Sequence, residues 1–354
     1  MIVITALNIV VVIMAYWARF EKHRFLLAWA FALMTIVLGI RYGYGNDYFS
    51  YKLFFDTGHT DTVDADDIEP GWRFINYFFK PFGFASMVFF LTGLEHFLLY
   101  VLIRRHVPPN YYWLAVFLYV FNPYYMLVGL SMMRQFLVQI IGLYVLEMAI
   151  QKKIVSFLIL VIIGFLIHKV ALLLLIFLIL PYISLPKWWV YLGVFVAMVL
   201  IVNNLMPIVE QTITLFQGTS MDYANNYLNE QVLSEEHKLG LKTIFHYVFF
   251  MIVFIRNLKY VDERQRPFAW VVIFGIMILP FQTVFPMASR TSWIYTIGEI
   301  IGLPLLLCKE KIPILKYGFT ILFLLNMLFF EYRSFWSSEV YGAYYRNFTT
   351  LFFD

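Results

Sequence analysis

Apolar runs recur along the chain at lengths near that of a bilayer span, separated by short polar turns. A membrane-spanning helix needs about 20 apolar residues, with a range of roughly 17–25. On that measure helices are expected near 2–18, 25–40, 84–103, 111–130, 135–150, 154–167, 170–183, 188–205, 241–256, 268–286, 291–307 and 315–330, twelve in all. The run 154–183 also fits one overlong helix, and the basic residues decide against it. With a break at His168-Lys169, 15 of the 26 Lys and Arg fall in short loops on one side, as cytoplasmic loops require. With one helix, the segments RNLKYVDERQR and KEKIPILK change sides, against that bias. Two short helices are therefore expected, with both termini on the outer side. Fourteen residues rise about 21 Å, less than the roughly 30 Å of hydrocarbon. The break at 168–169 then lies below the outer surface, buried in protein or facing a wet cavity, because irregular backbone cannot face lipid.

Composition agrees with the pattern. Of 354 residues, 62% are hydrophobic and 14% charged, far too apolar for a soluble domain. The expected fold is an all-α polytopic membrane protein forming one integral domain over 1–354. The first apolar stretch lacks a basic flank and a small-residue cleavage site, so it reads as a retained helix. The single cysteine, Cys308, forms no internal disulfide. No H-E-x-x-H, P-loop or G-x-S-x-G motif occurs, so nucleotide-driven chemistry has no support, and nothing calls for a nucleic-acid partner.

Three outer segments are long enough to carry chemistry: 41–83, 206–240 and the tail 331–354. Arg41–Gly71 is the most polar stretch, with seven acidic residues from Asp47 to Glu69. Beyond it, PGWRFINYFFKPFGF reads as an amphipathic helix lying at the interface. The segment 206–240 is polar and aromatic, and the tail is rich in tyrosine. The topology puts Arg41, Arg73, Arg134, Arg290 and the His168-Lys169 pair on one side. Guanidinium forks match phosphate oxygens, so the set suits a lipid pyrophosphate; snorkelling or pairing with acids is the plain alternative. Arg134 and Arg290 have no acid near them in sequence. His168 is either a satisfied core histidine or a neutral imidazole able to take a proton from a sugar hydroxyl. Asp47 could be a general base, orient an arginine, or pair with Arg41. Asp64-Ala65-Asp66 could hold a divalent metal, but the acidic run 61–69 reads as a solvated loop or lid. Glu95, Glu147 and Glu299 fall inside expected helices, Glu147 and Glu299 near cytoplasmic ends where they reach the interface. Three scattered acids without a symmetric partner argue only weakly for a transporter.

Several short elements resemble one family. RYGYGNDYFSYKLFF resembles the arginine, Gly-x-Asp, tyrosine loop of EpsG/Wzy-type polysaccharide polymerases. EPGWRFIN resembles their Glu-Pro-Gly-aromatic element, SMMRQFLVQIIGLYVLEMAIQKK their Arg-Gln helix with its basic turn, GFLIHKVALLLL their apolar-His element, and SRTSWIYTIGEIIGLPLL a later Arg-aromatic element. Asn46 and Leu137-Val138 are minor departures. The resemblance implies a metal-independent glycosyltransferase of GT-C-like helical architecture, working without a cofactor at the outer face of the bacterial cytoplasmic membrane. It would move a growing glycan from a polyprenyl-pyrophosphate carrier to a second lipid-linked repeat unit, with a chain-length regulator and a flippase as partners. It implies roles for Arg134 and Arg290 at the departing pyrophosphate, with Arg41 and Arg73 as helpers. Either His168 or Asp47 would act as base, and Gln135, Tyr48, Tyr51 and Lys169 would contact pyrophosphate or sugar. The rival functions are a flippase or transporter of lipid-linked sugars, and a membrane acyltransferase using His168.

Overall fold

The computed structural model describes residues 1–58, 68–183, 241–279, 281, 287–337, 345 and 347–352, and most of them are helical. The helices are α1 Ile2–Trp17, α2 Phe25–Gly39, α3 Tyr48–Thr57, α4 Pro70–Phe79, α5 Phe84–His106, α6 Tyr112–Phe121, α7 Met126–Ser131, α8 Met133–Ile150 and α9 Ile154–Ile167. After α9 comes a 3₁₀ segment, Lys169–Leu178, and later α10 Leu241–Asn257, α11 Arg266–Ile278, α12 Met287–Thr296, α13 Glu299–Cys308 and α14 Pro313–Glu331. Two short strands, β1 Arg41–Tyr42 and β2 Thr349–Thr350, pair antiparallel, Arg41 opposite Thr350 and Tyr42 opposite Thr349. The expected helix 188–205, the segment 206–240 and the Asp64-Ala65-Asp66 run lie outside the described residues.

Among the described residues, four helical stretches are long and apolar enough to cross a membrane: Glu21–Gly39, Phe84–His106, Met133–Ile150 and Pro313–Trp336. A fifth is added if Ala288–Thr296 and Glu299–Cys308, bent by 47°, form one span. Shorter apolar helices cover Ile2–Trp17, Ile154–Ile167, Lys169–Tyr182 and Arg266–Ile278. The central element is α8, 78% buried, while α14 is only 11% buried and turns its apolar side chains outward. Around this centre α2 packs on α1 and α5, α6 on α1 and α13, α8 on α9, and α11 on α12 and α13.

Two expected helices are broken, each for a local reason. The run 111–130 divides into α6 and α7 at Asn122-Pro123. Proline cannot continue the ladder, and the Asn122 side chain accepts the Tyr124 N–H at 3.0 Å, closing an Asx turn. The run 291–307 divides at Ile297-Gly298 into α12 and α13. The segment after His168 winds as 3₁₀, not α. At about 2.0 Å rise per residue it reaches further than an α-helix of equal length, which lengthens an otherwise short span.

Three buried acids are held by cations or imidazole from other elements. Glu147 receives Arg105 at 2.6 and 2.7 Å. Glu310 receives Arg256 at 3.0 and 3.2 Å. Glu299, expected to reach the interface, is instead wholly buried. It lies 2.8 Å from His246 Nε2 and 3.2 Å from the Tyr125 hydroxyl, which donates to the Thr296 carbonyl at 2.6 Å. Placed at the bend between α12 and α13, Glu299 is too deep for solvent, and the imidazole of α10 takes that place.

Candidate functional site

The site is built where four breaks in regular structure meet: the β1–α3 turn, the start of α4, the start of α8 and the α9–3₁₀ break. At the first, Gly45 adopts φ +109°, and a β-carbon there would come 3.2 Å from Ser131 Cα. Glycine thus lets the turn press onto the end of α7. The Asp47 N–H donates to Ser131 Oγ at 3.0 Å, which fixes Asp47 at the head of α3. Burial raises the Asp47 carboxyl above the ordinary aspartate range, opposed by the Arg290 charge, a hydrogen bond from Ser131 and the Arg134 charge.

Glu69 stands at the N-cap of α4, before Pro70 at the first helical position. Its side chain is turned away from its own helix. Oε2 accepts Arg134 Nη1 at 2.7 Å, Oε1 accepts the Lys169 backbone N–H at 2.9 Å, and His168 Nδ1 lies 3.3 Å from Oε1. Burial opposes ionisation of Glu69, but the Lys169 and Glu69 N–H groups and the Arg134 and His168 side chains outweigh it and hold the carboxyl below the usual range. The acidic run 61–69 therefore does not end as solvated loop: Glu69 is 6% exposed and is the hub of the site. Its sequence signal was the Glu-Pro-Gly triplet opening an amphipathic helix, masked by the acids before it.

The break at His168 allows this contact. His168 is extended, φ −156° and ψ 128°, between α9 and the 3₁₀ segment. Its N–H still bonds Gly164 at 2.8 Å, and the next N–H, of Lys169, is turned out toward Glu69. Helix α4 reaches α9 closely because residue 71 is glycine: a β-carbon there would lie 2.6 Å from the Leu166 carbonyl oxygen.

Arg134 keeps donor capacity after binding Glu69, since Nε is buried without a partner. Its guanidinium lies 6.0 Å from the Tyr51 ring, which meets Trp72 edge-on at 5.5 Å. Gln135 donates to the Arg290 carbonyl at 2.9 Å, so α8 holds the start of α12. The Arg290 side chain is exposed beside this cluster.

Of the residues singled out from sequence, the structure thus brings together Asp47, Tyr51, Arg134, Gln135, His168, Lys169 and Arg290. Lys169 contributes its N–H, while its side chain is exposed. Arg73 lies exposed on α4. Arg41 and Tyr48 are directed elsewhere. Arg41 is 2% exposed and donates to the Leu38 carbonyl at 2.8 Å, Thr92 Oγ1 at 2.9 Å and the Leu130 carbonyl at 3.3 Å. Tyr48, also buried, donates to the Arg41 carbonyl at 3.3 Å. Arg41 therefore grips the backbone one residue before Ser131, which in turn grips Asp47, and it acts on the site through the scaffold.

Such a molecule is an all-α, multi-pass membrane protein with a cluster of arginine, carboxylate and histidine at the breaks of its helices. The EpsG family matches over residues 24–346, nearly the whole chain, and the protein belongs to that family. Membership makes polysaccharide polymerisation its general activity. No curated protein and no solved structure matches it.

Proposed function

We propose that the protein transfers a growing glycan from a polyprenyl-pyrophosphate carrier to the terminal sugar of a second lipid-linked repeat unit, at the outer face of the bacterial cytoplasmic membrane. Twelve spans in a GT-C-like arrangement, with 41–83, 206–240 and 331–354 outside, would suit this work. The single observation that carries the reading is the Glu69 carboxylate, which ties Arg134 to the His168 turn. A leaving-group ligand and a proton acceptor are thus set side by side.

In the transfer, the acceptor hydroxyl oxygen bonds to the anomeric carbon as the carbon–oxygen bond to the pyrophosphate breaks. Negative charge builds on the departing oxygen, and fixed cations there favour the transition state over the ground state. Arg134 and Arg290 take this role, with Arg73 as a helper from α4, and the guanidinium charge leaves no step that needs a metal. His168 takes the hydroxyl proton. Glu69 beside Nδ1 orients the ring as a third group orients the base in other nucleophilic sites. Asp47 faces the arginines and keeps them aligned while the site is empty. The carrier's apolar tail runs between helices toward lipid. A transporter would show unpaired polar groups along a full path across the membrane; here Arg134, Glu69 and His168 gather near one end of α8, while Glu147, Glu299 and Glu310 are each taken up by a cation or imidazole beside them.

The test is alanine at Arg134 or His168 with polymer length measured in cells, followed by conversion of purified lipid-linked repeat units with and without chelator. Loss of long polymer at unchanged protein level is expected for both variants, with no effect of chelator. Wild-type polymer from either variant rejects the assignment.

A further inference from the structure

A recess of about 460 Å³ opens beside the site, on an adjacent face of α3, and none of the steps above uses it. Its walls combine aromatic rings, Tyr42, Phe55 and Phe84, with Lys52, Asp56 and Lys80. The polar groups are already engaged with one another. Lys52 donates to Asp56 at 2.5 Å one turn along α3. Lys80 donates to the Phe55 carbonyl, and to the Asp56 carbonyl at 3.2 Å. The Lys80 ammonium also lies 4.8 Å from the Phe55 ring centre. The wall thus offers hydrogen-bonding groups at fixed places with little unbalanced charge, unlike the guanidiniums around Glu69. Apolar ring faces with a few oriented polar groups are the make-up of a small-molecule pocket. For a ligand rich in hydroxyls on an apolar ring, they match a pyranose better than a pyrophosphate.

The recess is preformed. The Tyr42 ring stands edge-on to Tyr48 and to Phe49, both at 6.0 Å, and its backbone is pinned by β2. Phe84 is packed against Tyr48 and Phe55, at 5.3 and 5.5 Å. Helix α3 links this wall to the reacting centre. Asp47 heads the helix, Tyr51 faces Arg134, and Lys52 and Asp56 face the recess. At 1.5 Å per residue, Lys52 stands about 7.5 Å and Asp56 about 13.5 Å along the helix axis from Asp47, the scale of an oligosaccharide and not of a single ring.

We infer that this recess is a glycan subsite, holding a sugar of the lipid-linked substrate beyond the one that reacts. The inference rests on the transfer reading above. It makes the recess a device that selects the repeat unit by sugars remote from the broken bond, through uniform binding that lowers KM and leaves kcat unchanged.

The experiment compares the purified full chain with Tyr42→Ala and, because Tyr42 also packs in β1, with the exposed-site variant Lys52→Ala. Binding of the repeat-unit oligosaccharide, released from its carrier by mild acid, is followed by saturation-transfer NMR. Turnover is measured with the full lipid-linked repeat unit and with a carrier bearing one sugar. Expected are saturation transfer to the free oligosaccharide in wild type that is lost in both variants, and KM for the full unit raised about tenfold with kcat held, the size of one aromatic contact. Rates on the one-sugar carrier should match wild type. No binding by wild type, unchanged KM in both variants, or equal losses on both substrates overturns the inference. Arg134→Ala serves in parallel. Should it polymerise normally, the transfer reading falls, while binding of the free oligosaccharide still decides the recess.

Discussion

Glu69 shares its two oxygens between a guanidinium and the turn of a broken helix. A carboxylate used this way fixes a cation without cancelling all of it: Arg134 spends one of five donors on Glu69 and keeps Nε in reserve. Asp47 works beside it with the opposite problem, since its burial favours the uncharged acid. Its pKa is raised, so the carboxylate facing Arg290 and Arg134 is present at higher pH and is lost as pH falls through a range above that of ordinary aspartate. The rate should therefore fall on the acid side within that range, and Asp47→Asn should flatten that limb while lowering the plateau. A pH–rate profile of both proteins checks this, and an unchanged acid limb in the variant would remove Asp47 from the machinery. Arg134 was legible in sequence because a cation beside apolar runs, with no acid nearby, has few uses, and His168 because it interrupts a long apolar run beside Lys169. Glu69 was not, because its partners stand 65 and 100 residues away and its neighbours in sequence are six other acids. Arg41 misled in the other direction. A helix-end arginine reads as outward-facing, but Thr92 and two carbonyls supply a buried place for it that only the fold reveals.

At the scale of elements, the site depends on how nearly α4 approaches α9. Gly71 touches the Leu166 carbonyl, so any side chain there must push the helices apart. Because α4 carries Glu69 at its head, the push separates Glu69 from Arg134 and the His168 turn together. Gly71→Val should cost roughly 1–3 kcal/mol of stability, as overpacking does, and should lower turnover far more than that loss explains. Thermal melting in detergent beside single-turnover rates would show it; a variant with lowered melting and normal turnover would count against the contact. The positions of α1, α2, α5, α8, α9, α10 and α14 follow the apolar runs closely, because a lipid-facing or core helix must be apolar over its length. The breaks were less legible. The one at His168 was exposed by charge bias, while at Asn122-Pro123 and Gly298-Glu299 the polar interruption is only a few residues long and the flanking apolar runs read through it as one span. The 3₁₀ winding after His168 has no hydropathy signature at all, since turn type changes rise and not composition.

At the scale of the whole molecule, a second polar centre braces the frame. His246 on α10, Glu299 at the head of α13 and Tyr125 just before α7 meet with almost no exposure. They join parts of the chain that no local signal relates, and they fix the bend below Arg290. Glu299→Ala removes the carboxylate 2.8 Å from His246 Nε2 and 3.2 Å from the Tyr125 hydroxyl, a loss on the order of 1–3 kcal/mol for buried polar contacts of this kind. Lower melting with weakened substrate binding is expected, and Glu299→Gln should restore part of both; equal melting of wild type and Glu299→Ala would refute the brace. The small sheet has a consequence of another kind, in the order of synthesis. Thr349 Oγ1 bonds the Tyr42 carbonyl across 307 residues of chain, and Leu351 closes one side of the recess. Translation proceeds from the N-terminus, and earlier segments enter the membrane and pack first. The arginine cluster can thus form while the ribosome is still at work, but the strand that pins Tyr42 arrives after every other wall is standing. Among the described parts, the recess is completed after the arginine cluster, so a nascent chain would carry those arginines before it carried the wall that Leu351 supplies.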